Sequence, residues 1–310
     1  MERMPEEPHA QHAASGSPLR GPALPIGLAV TAIGILLSLP SAGGAVVDHA
    51  MPEPRHVVAV PPVQLDAATA VDPCASRTVI DAIAAGDDAA TIAAFGGGEA
   101  FRAAVAAGNA PCISLSDPRH VWVVVNKARS LDPVDFVPTP LVQAPLQMTT
   151  RSGQVRSDVA DAVGAMAAAA QADGAGQIGG NNGYRSYDLQ VRTYDTHVRS
   201  EGQEHADAAS ARAGHSEHQT GLALDLVACA PCGGIDAFGA TAQGAWVAEH
   251  AWEYGFVVRY ESGSTDTTGY MPEPWHVRYI GTELAAAYHD GGYHSLEQFF
   301  GLPAAPDYAP

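Results

Sequence analysis

The segment Ser216-Glu217-His218-Gln219-Thr220-Gly221-Leu222-Ala223-Leu224-Asp225 constrains the fold more than any other part of this chain. Residues seven apart in a regular strand point to opposite faces, so His218 and Asp225 cannot reach one cleft from a single strand. A helix is disfavoured by Gly221 and by the Leu222-Ala223-Leu224-Asp225-Leu226 alternation. The workable geometry is a loop bearing His218, a turn at Gly221 and a strand over residues 222–227. Leu222, Leu224 and Leu226 then face the core, while Ala223 and Asp225 face a cleft. The small Ala223 beside the aspartate leaves room for a metal ion.

A second segment, Glu273-Pro274-Trp275-His276-Val277-Arg278-Tyr279, completes the set. Pro274 keeps Glu273 out of helical conformation, so the segment enters extended and His276 leads into a strand. Glu273 and His276 are three apart, so the chain must bend near Pro274 for both to reach one cleft. Two histidines and an aspartate are enough to hold a zinc ion and leave a fourth position for water. The separate carboxylate can then take a proton from that water. The chain has no H-E-x-x-H, which excludes the commonest zinc-protease helix.

The two segments resemble, without a gap, the S-x-H-x-x-G-x-A-x-D and E-P-W-H blocks of the zinc D-alanyl-D-alanine carboxypeptidases of the VanY type. Val125-Asn126-Lys127, with Leu131 and Phe136-Val137-Pro138, resembles the opening segment of that family. Gly183-Tyr184-Arg185-Ser186-Tyr187 with Gln190 is similar to its Y-R-S-Y-x-x-Q block. Residues 255–260 resemble the strand before the last motif, and residues 296–300 close the match. The resemblance runs from about Asp117 to Leu302. It implies a Hedgehog/DD-peptidase-like fold, zinc as cofactor and peptidoglycan stem peptides as substrate. It also implies His218, Asp225 and His276 as metal ligands, Glu273 as general base, and Arg185 at the scissile carbonyl or its oxyanion. Ser216 and Gln190 are the candidate hydrogen-bond partners of the peptide.

Helix and strand signals mix without strict alternation, which predicts an α+β fold with an antiparallel sheet and flanking helices. Val121-Trp122-Val123-Val124-Val125 reads as a strand, as do residues 256–260 and 276–280. Ser157, Ser186 and Thr241 read as helix caps, and Thr282 as the start of a further helix. The Ser157 helix carries Val159, Val163, Met166 and Ala170; the Ser186 helix carries Val191, Tyr194 and Val198 on one side; the Thr241 helix turns Val247, Ala251 and Tyr254 inward.

Upstream, residues 21–47 carry no charge, and Leu24 to Leu39 is an apolar run after Arg20 and before small residues. Residues 1–45 therefore read as an export signal or a membrane anchor, with 24–39 as the tether in the second case. Residues 46–72 read as a Pro-rich linker and 73–116 as a small helical, disulfide-tied segment. The peptidase domain is expected over 117–302, followed by a tail over 303–310. The four cysteines allow three pairings, of which Cys74–Cys112 and Cys229–Cys232 join one self-contained segment and one local C-x-x-C. Closing the larger loop is worth about 4 kcal/mol on chain-entropy grounds. A net charge of −18, from 34 acidic and 16 basic residues, disfavours nucleic-acid partners.

The leading expectation is an exported zinc carboxypeptidase that removes the terminal D-alanine of peptidoglycan stem peptides. A wall endopeptidase or D-Ala-D-Ala dipeptidase on the same scaffold is the neighbouring alternative. A non-catalytic zinc-bearing wall-binding module is the rival from another class, and Glu273 argues against it, because a binder needs no base.

Overall fold

A computed structural model describes residues 72–308, so the expected export signal or anchor and almost all of the linker lie outside the described residues. No helix among the described residues is long and apolar enough to cross a membrane.

In chain order the elements are α1 (Arg77–Ala85), α2 (Asp88–Ala94), α3 (Gly98–Ala106), β1 (Leu141–Gln143), β2 (Gln154–Arg156), α4 (Ser157–Ala172), β3 (Ile178–Gly180), α5 (Tyr187–Glu201) and α6 (Gln203–Ala209). They continue with β4 (Ala223–Ala228), α7 (Ala242–His250), β5 (Phe256–Tyr260), α8 (Thr265–Thr268), β6 (Glu273–Tyr279), α9 (Thr282–Asp290) and α10 (Leu296–Phe299). β1 and β2 form a small antiparallel pair. The main sheet has the order β3-β4-β6-β5 and is antiparallel throughout. This is the expected α+β arrangement.

The alternation in β4 sorts its side chains as the sequence requires. Leu222, Leu224 and Leu226 are fully buried in the main core with Val277 and Phe256. Each such leucine stabilises the fold by about 1.5–3 kcal/mol relative to exposure. α4 lays Val159, Val163, Met166 and Ala170 on the same core, one helical face at i, i+4, i+7 and i+11. Ile92 of α2 and Phe101 of α3 belong to this core too, so the N-terminal helices pack on the sheet domain, with α3 against α9. Cys74–Cys112 ties the start of these helices to the segment that follows them, and Cys229–Cys232 closes the loop after β4.

Four local expectations are corrected. Residues 121–125 are buried but are not a strand. Side chains take part of their backbone: the carbonyls of Val121 and Val123 accept from Arg278 Nη2 at 3.0 and 2.7 Å, and the Val121 amide donates to Asp88, while the Val123 and Val124 amides donate to the carbonyls of His120 and Leu115. A β-branched run does not form a ladder when side chains take its hydrogen bonds first. Ser157 is the first residue of α4 and not its cap, which is Arg156. In α5, capped by Ser186 as expected, the inward residue is Gln190, while Val191 is exposed. The strand expected over 276–280 begins earlier, at Glu273, and its pairing with β5 slips between Val258 and Tyr260. That irregularity is where Pro274 is tolerated.

Candidate metal centre and catalytic cleft

The bend foreseen near Pro274 takes the form of this slip. Val258 pairs with Val277 and Tyr260 with Glu273, so β6 has two more residues than β5 over that interval. A regular strand would point Glu273 and His276 to opposite faces. Here Glu273 Oε2 lies 3.6 Å from His276 Nδ1. On the neighbouring strand, Asp225 is the register partner of His276. His218 reaches the same point from a short 3-10 turn, Glu217–Thr220, that ends at Gly221 in the left-handed region (φ 70°).

His218, Asp225 and His276 are all buried and can each offer one ligand atom within 4.8 Å of the others. The hydrogen bonds around them decide which atoms face inward. His218 Nδ1 lies 2.8 Å from the carbonyl of Gly183, which only accepts, so Nδ1 carries the proton and Nε2 presents a lone pair. That Nε2 is 3.5 Å from Asp225 Oδ2. His276 Nε2 lies 3.2 Å from Glu217 Oε2, which turns Nδ1 toward Asp225 Oδ1 at 3.3 Å. Asp225 Oδ2 accepts from Asn182 Nδ2 at 3.0 Å, whereas the buried Oδ1 has no hydrogen-bond partner among the described residues. When His276 is neutral, two imidazole nitrogens and one carboxylate oxygen thus face a common point. A cation with nitrogen and oxygen preferences, such as zinc, fits this donor set.

Burial and neighbouring charges shift each of these groups. Burial opposes ionisation of Asp225, but His218 and His276 hold its carboxyl well below the usual carboxylate range. Burial pushes His218 down. Burial also works against charge on His276, yet the Asp225 and Glu217 carboxylates raise it to about 9. Burial pushes Glu273 up to about 7, against the pull of His276.

Sequence reasoning missed Glu217. It is fully buried and accepts from Arg259 Nε and Arg278 Nη1 at 2.8 Å each, besides facing His276. Arg259 also makes two bonds to the buried Glu297, at 2.8 and 3.1 Å. Burial disfavours the Glu217 carboxylate, but Arg278 and Arg259 keep it ionised, well below the ordinary range. Two carboxylates and two guanidiniums balance, so a strand-borne ion network orients one metal-facing imidazole. The signal in the sequence was weak: a glutamate beside a histidine in a polar turn. Asn182, which steadies Asp225, was missed for the same reason.

These groups open into a cleft of about 750 Å³ that is also lined by Arg185, Gln190, Ser216, Tyr270 and Trp275. Arg185 precedes the capped α5 and forms no ion pair among the described residues; burial lowers its pKa, and Asp225 and Glu273 oppose that. Its backbone amide donates to the carbonyl of His218 at 3.2 Å, which locks the Tyr-Arg-Ser-Tyr block to the histidine turn. Ser216 and Gln190 are buried in the cleft wall. Gln190 donates to Ser210 and to the carbonyl of Ala211, and its Oε1 is without a partner among the described residues.

An antiparallel α+β sheet that brings a His-Asp-His cluster and a flanking glutamate to one open cleft has the composition of a metal-dependent hydrolase centre. Comparison with known proteins narrows the class. A family model described as VanY, D-alanyl-D-alanine carboxypeptidase, matches residues 152–282. The putative carboxypeptidase YodJ of Bacillus subtilis (strain 168) is 37% identical over 194 residues, which are 60% of this chain and 69% of that protein. A D-alanyl-D-alanine carboxypeptidase of Enterococcus faecium is 37% identical over 106 residues, 34% of this chain and 31% of that enzyme, so the chain spans about a third of its length. Among solved structures, the LdcB LD-carboxypeptidase superposes with a TM-score of 0.56 at 36% identity, over 59% of this chain and 87% of that one. The vancomycin resistance D,D-dipeptidase VanXYg, in complex with a D-Ala-D-Ala phosphinate analog, gives 0.51 at 30% identity, over 59% of this chain and 70% of that one. The chain belongs to the VanY family of D-alanyl-D-alanine carboxypeptidases.

Proposed function

We propose that this protein is a zinc-dependent D,D-carboxypeptidase that hydrolyses the terminal D-alanine from peptidoglycan stem peptides. The observation that carries the reading is the convergence of His218 Nε2, His276 Nδ1 and the orphaned Asp225 Oδ1 beside Glu273. When bound there, zinc supplies a Lewis acid and acidifies water to a pKa of ~7. Glu273 accepts the proton of the attacking water and delivers it to the leaving amine. Arg185 meets either the developing oxyanion or the terminal carboxylate. Gln190 Oε1 accepts from a substrate amide, and Ser216 donates to the peptide. The family supports the substrate class; relatives that are L,D-carboxypeptidases and D,D-dipeptidases make bond preference the first point to test. Purified enzyme with zinc should release one D-alanine from a pentapeptide ending in D-Ala-D-Ala and leave its C-terminally amidated form intact. Preferred cleavage of the tetrapeptide, or of the free dipeptide, would move the assignment to L,D-carboxypeptidase or dipeptidase.

Export to an oxidising, wall-facing compartment is part of this proposal. It is supported by the uncharged run over residues 21–47 and by four cysteines paired in two disulfides. Residues 24–39 are cleaved with the signal or serve as the membrane tether; the mass of the exported protein distinguishes the two.

Arg185→Lys keeps the charge and loses the planar fork. If Arg185 stabilises the oxyanion, kcat falls by about 10²–10³-fold with zinc content unchanged and KM moving less. A rise in KM with kcat preserved assigns it to the terminal carboxylate. Wild-type kinetics would remove it from the site.

Glu217→Gln keeps the shape but removes the charge shared by Arg259, Arg278 and His276. Zinc affinity is expected to drop by about 10–100-fold, read by chelator competition. Unfolding should cost about 3–5 kcal/mol less in denaturant titration, because a buried pair loses one partner. Unaltered zinc affinity would show that Glu217 does not orient His276.

A further inference from the structure

Lys127 is the only lysine of the chain, and it is buried, at 4% exposure, with no ion pair among the described residues. Its ammonium donates to two backbone carbonyls, Gly269 at 2.6 Å and Pro306 at 3.0 Å. It also sits 5.0 Å from the ring centre of Tyr270 and 5.7 Å from that of Tyr308. A buried ammonium that gives up water needs such compensation, and carbonyl dipoles with aromatic faces supply it.

The groups around it join two lips of the cleft, which are also tied where the Met271 amide donates at 3.2 Å to the carbonyl of Ala208, two residues before Ser210. One lip is the loop from Gly269 to Glu273, in which Tyr270, Met271 and Glu273 line the cleft. The other is the stretch from Ser210 to Ser216, which lines it through Ser210, Ala211 and Ser216. Tyr308 bridges them: its hydroxyl accepts from the Arg212 amide at 2.7 Å and lies 3.1 Å from the Tyr270 hydroxyl. The Arg212 guanidinium stands 4.1 Å over the Tyr308 ring and is held by Asp207 through two 3.0 Å bonds. The tail is fixed along its path as well, since the Ala305 amide donates to the Thr267 carbonyl at 2.8 Å. Gly269 has φ +81°, and a side chain there would meet the Pro306 carbonyl at 2.5 Å, so the tail packs on the loop at this glycine with no room for a side chain.

We propose that Lys127 and Tyr308 are positioning residues for hydrolysis, a clasp that fixes the Gly269–Glu273 loop against the chain at Arg212 and thereby sets the aim of Glu273. This rests on the reading of Glu273 as the base. It gives the Val-Asn-Lys segment and the C-terminal tail a role in the site without a hydrogen bond to the metal-facing cluster among the described residues. The clasp acts on orientation, so its loss should appear in turnover and not in metal binding.

The test uses the full chain with Lys127→Met, Tyr308→Phe and the double variant, each loaded with zinc. Lys127→Met is expected to lower kcat on the pentapeptide by about 10–100-fold, with KM and zinc affinity shifted by less than about threefold. The double variant should lose little more than Lys127→Met alone, because the two residues act as one unit. Amide exchange over residues 269–273 should accelerate in both single variants. Unchanged kcat in folded, zinc-loaded Lys127→Met, or losses that simply multiply, would overturn the clasp. If Lys127→Met does not fold, Tyr308→Phe carries the test: unaltered kcat together with unaltered exchange at 269–273 rejects the proposal. If the wild-type protein cleaves no wall peptide, the functional reading fails, and exchange over 269–273 still reports on the clasp.

Discussion

Glu273→Ala is expected to retain a full equivalent of zinc and to lose turnover by about 10²–10⁴-fold, the usual worth of a positioned general base. Retention follows from geometry: the metal-facing atoms are those of His218, Asp225 and His276, and Glu273 stands beside them, 3.6 Å from His276 Nδ1. Loss of turnover follows from chemistry, because Glu273 is the carboxylate beside the metal-facing atoms that is neither one of them nor engaged by a guanidinium among the described residues. Asp225 faces the metal position, and Glu217 is engaged by Arg259 and Arg278. The check is metal analysis of the purified variant beside initial rates on the pentapeptide. A variant that keeps wild-type rates removes Glu273 from the proton path, and one that loses zinc makes it a ligand.

The ligand variants should show the opposite pattern. His218→Ala, Asp225→Ala and His276→Ala each take away one of three donors, and a site with two protein ligands does not hold zinc through dialysis against a chelator. The same loss is readable without activity. Zinc that binds the folded state stabilises it by about 4 kcal/mol at a thousandfold excess over Kd, so the wild-type melting temperature rises on zinc addition. The three variants should show no such rise. Stoichiometric zinc in all three would break the ligand assignment.

Much of this centre was legible in the residues because local physics dictated it. The leucine alternation of β4 forces Asp225 to the face opposite the core, and Gly221 supplies the turn that frees His218. Thr241 and Ser186 cap their helices through their own hydroxyls. Both disulfides join the cysteines that chain distance favours. What escaped depended on partners far apart in sequence. Residues 121–125 have strand-forming side chains, yet a guanidinium more than 150 positions away takes their carbonyls. Glu217 looks like polar filler until Arg259, Arg278 and His276 are folded around it. The pairing slip of β6 is visible only against β5, although Pro274 marks its place.

A single zinc site should drive hydrolysis of a D-Ala-D-Ala terminus. The most direct measurement titrates metal-free protein with zinc while counting D-alanine released from the pentapeptide. Expected are no release without metal, a rise that saturates at about one equivalent, and one D-alanine per peptide. Release that needs no metal, or none at one equivalent of bound zinc, would contradict it.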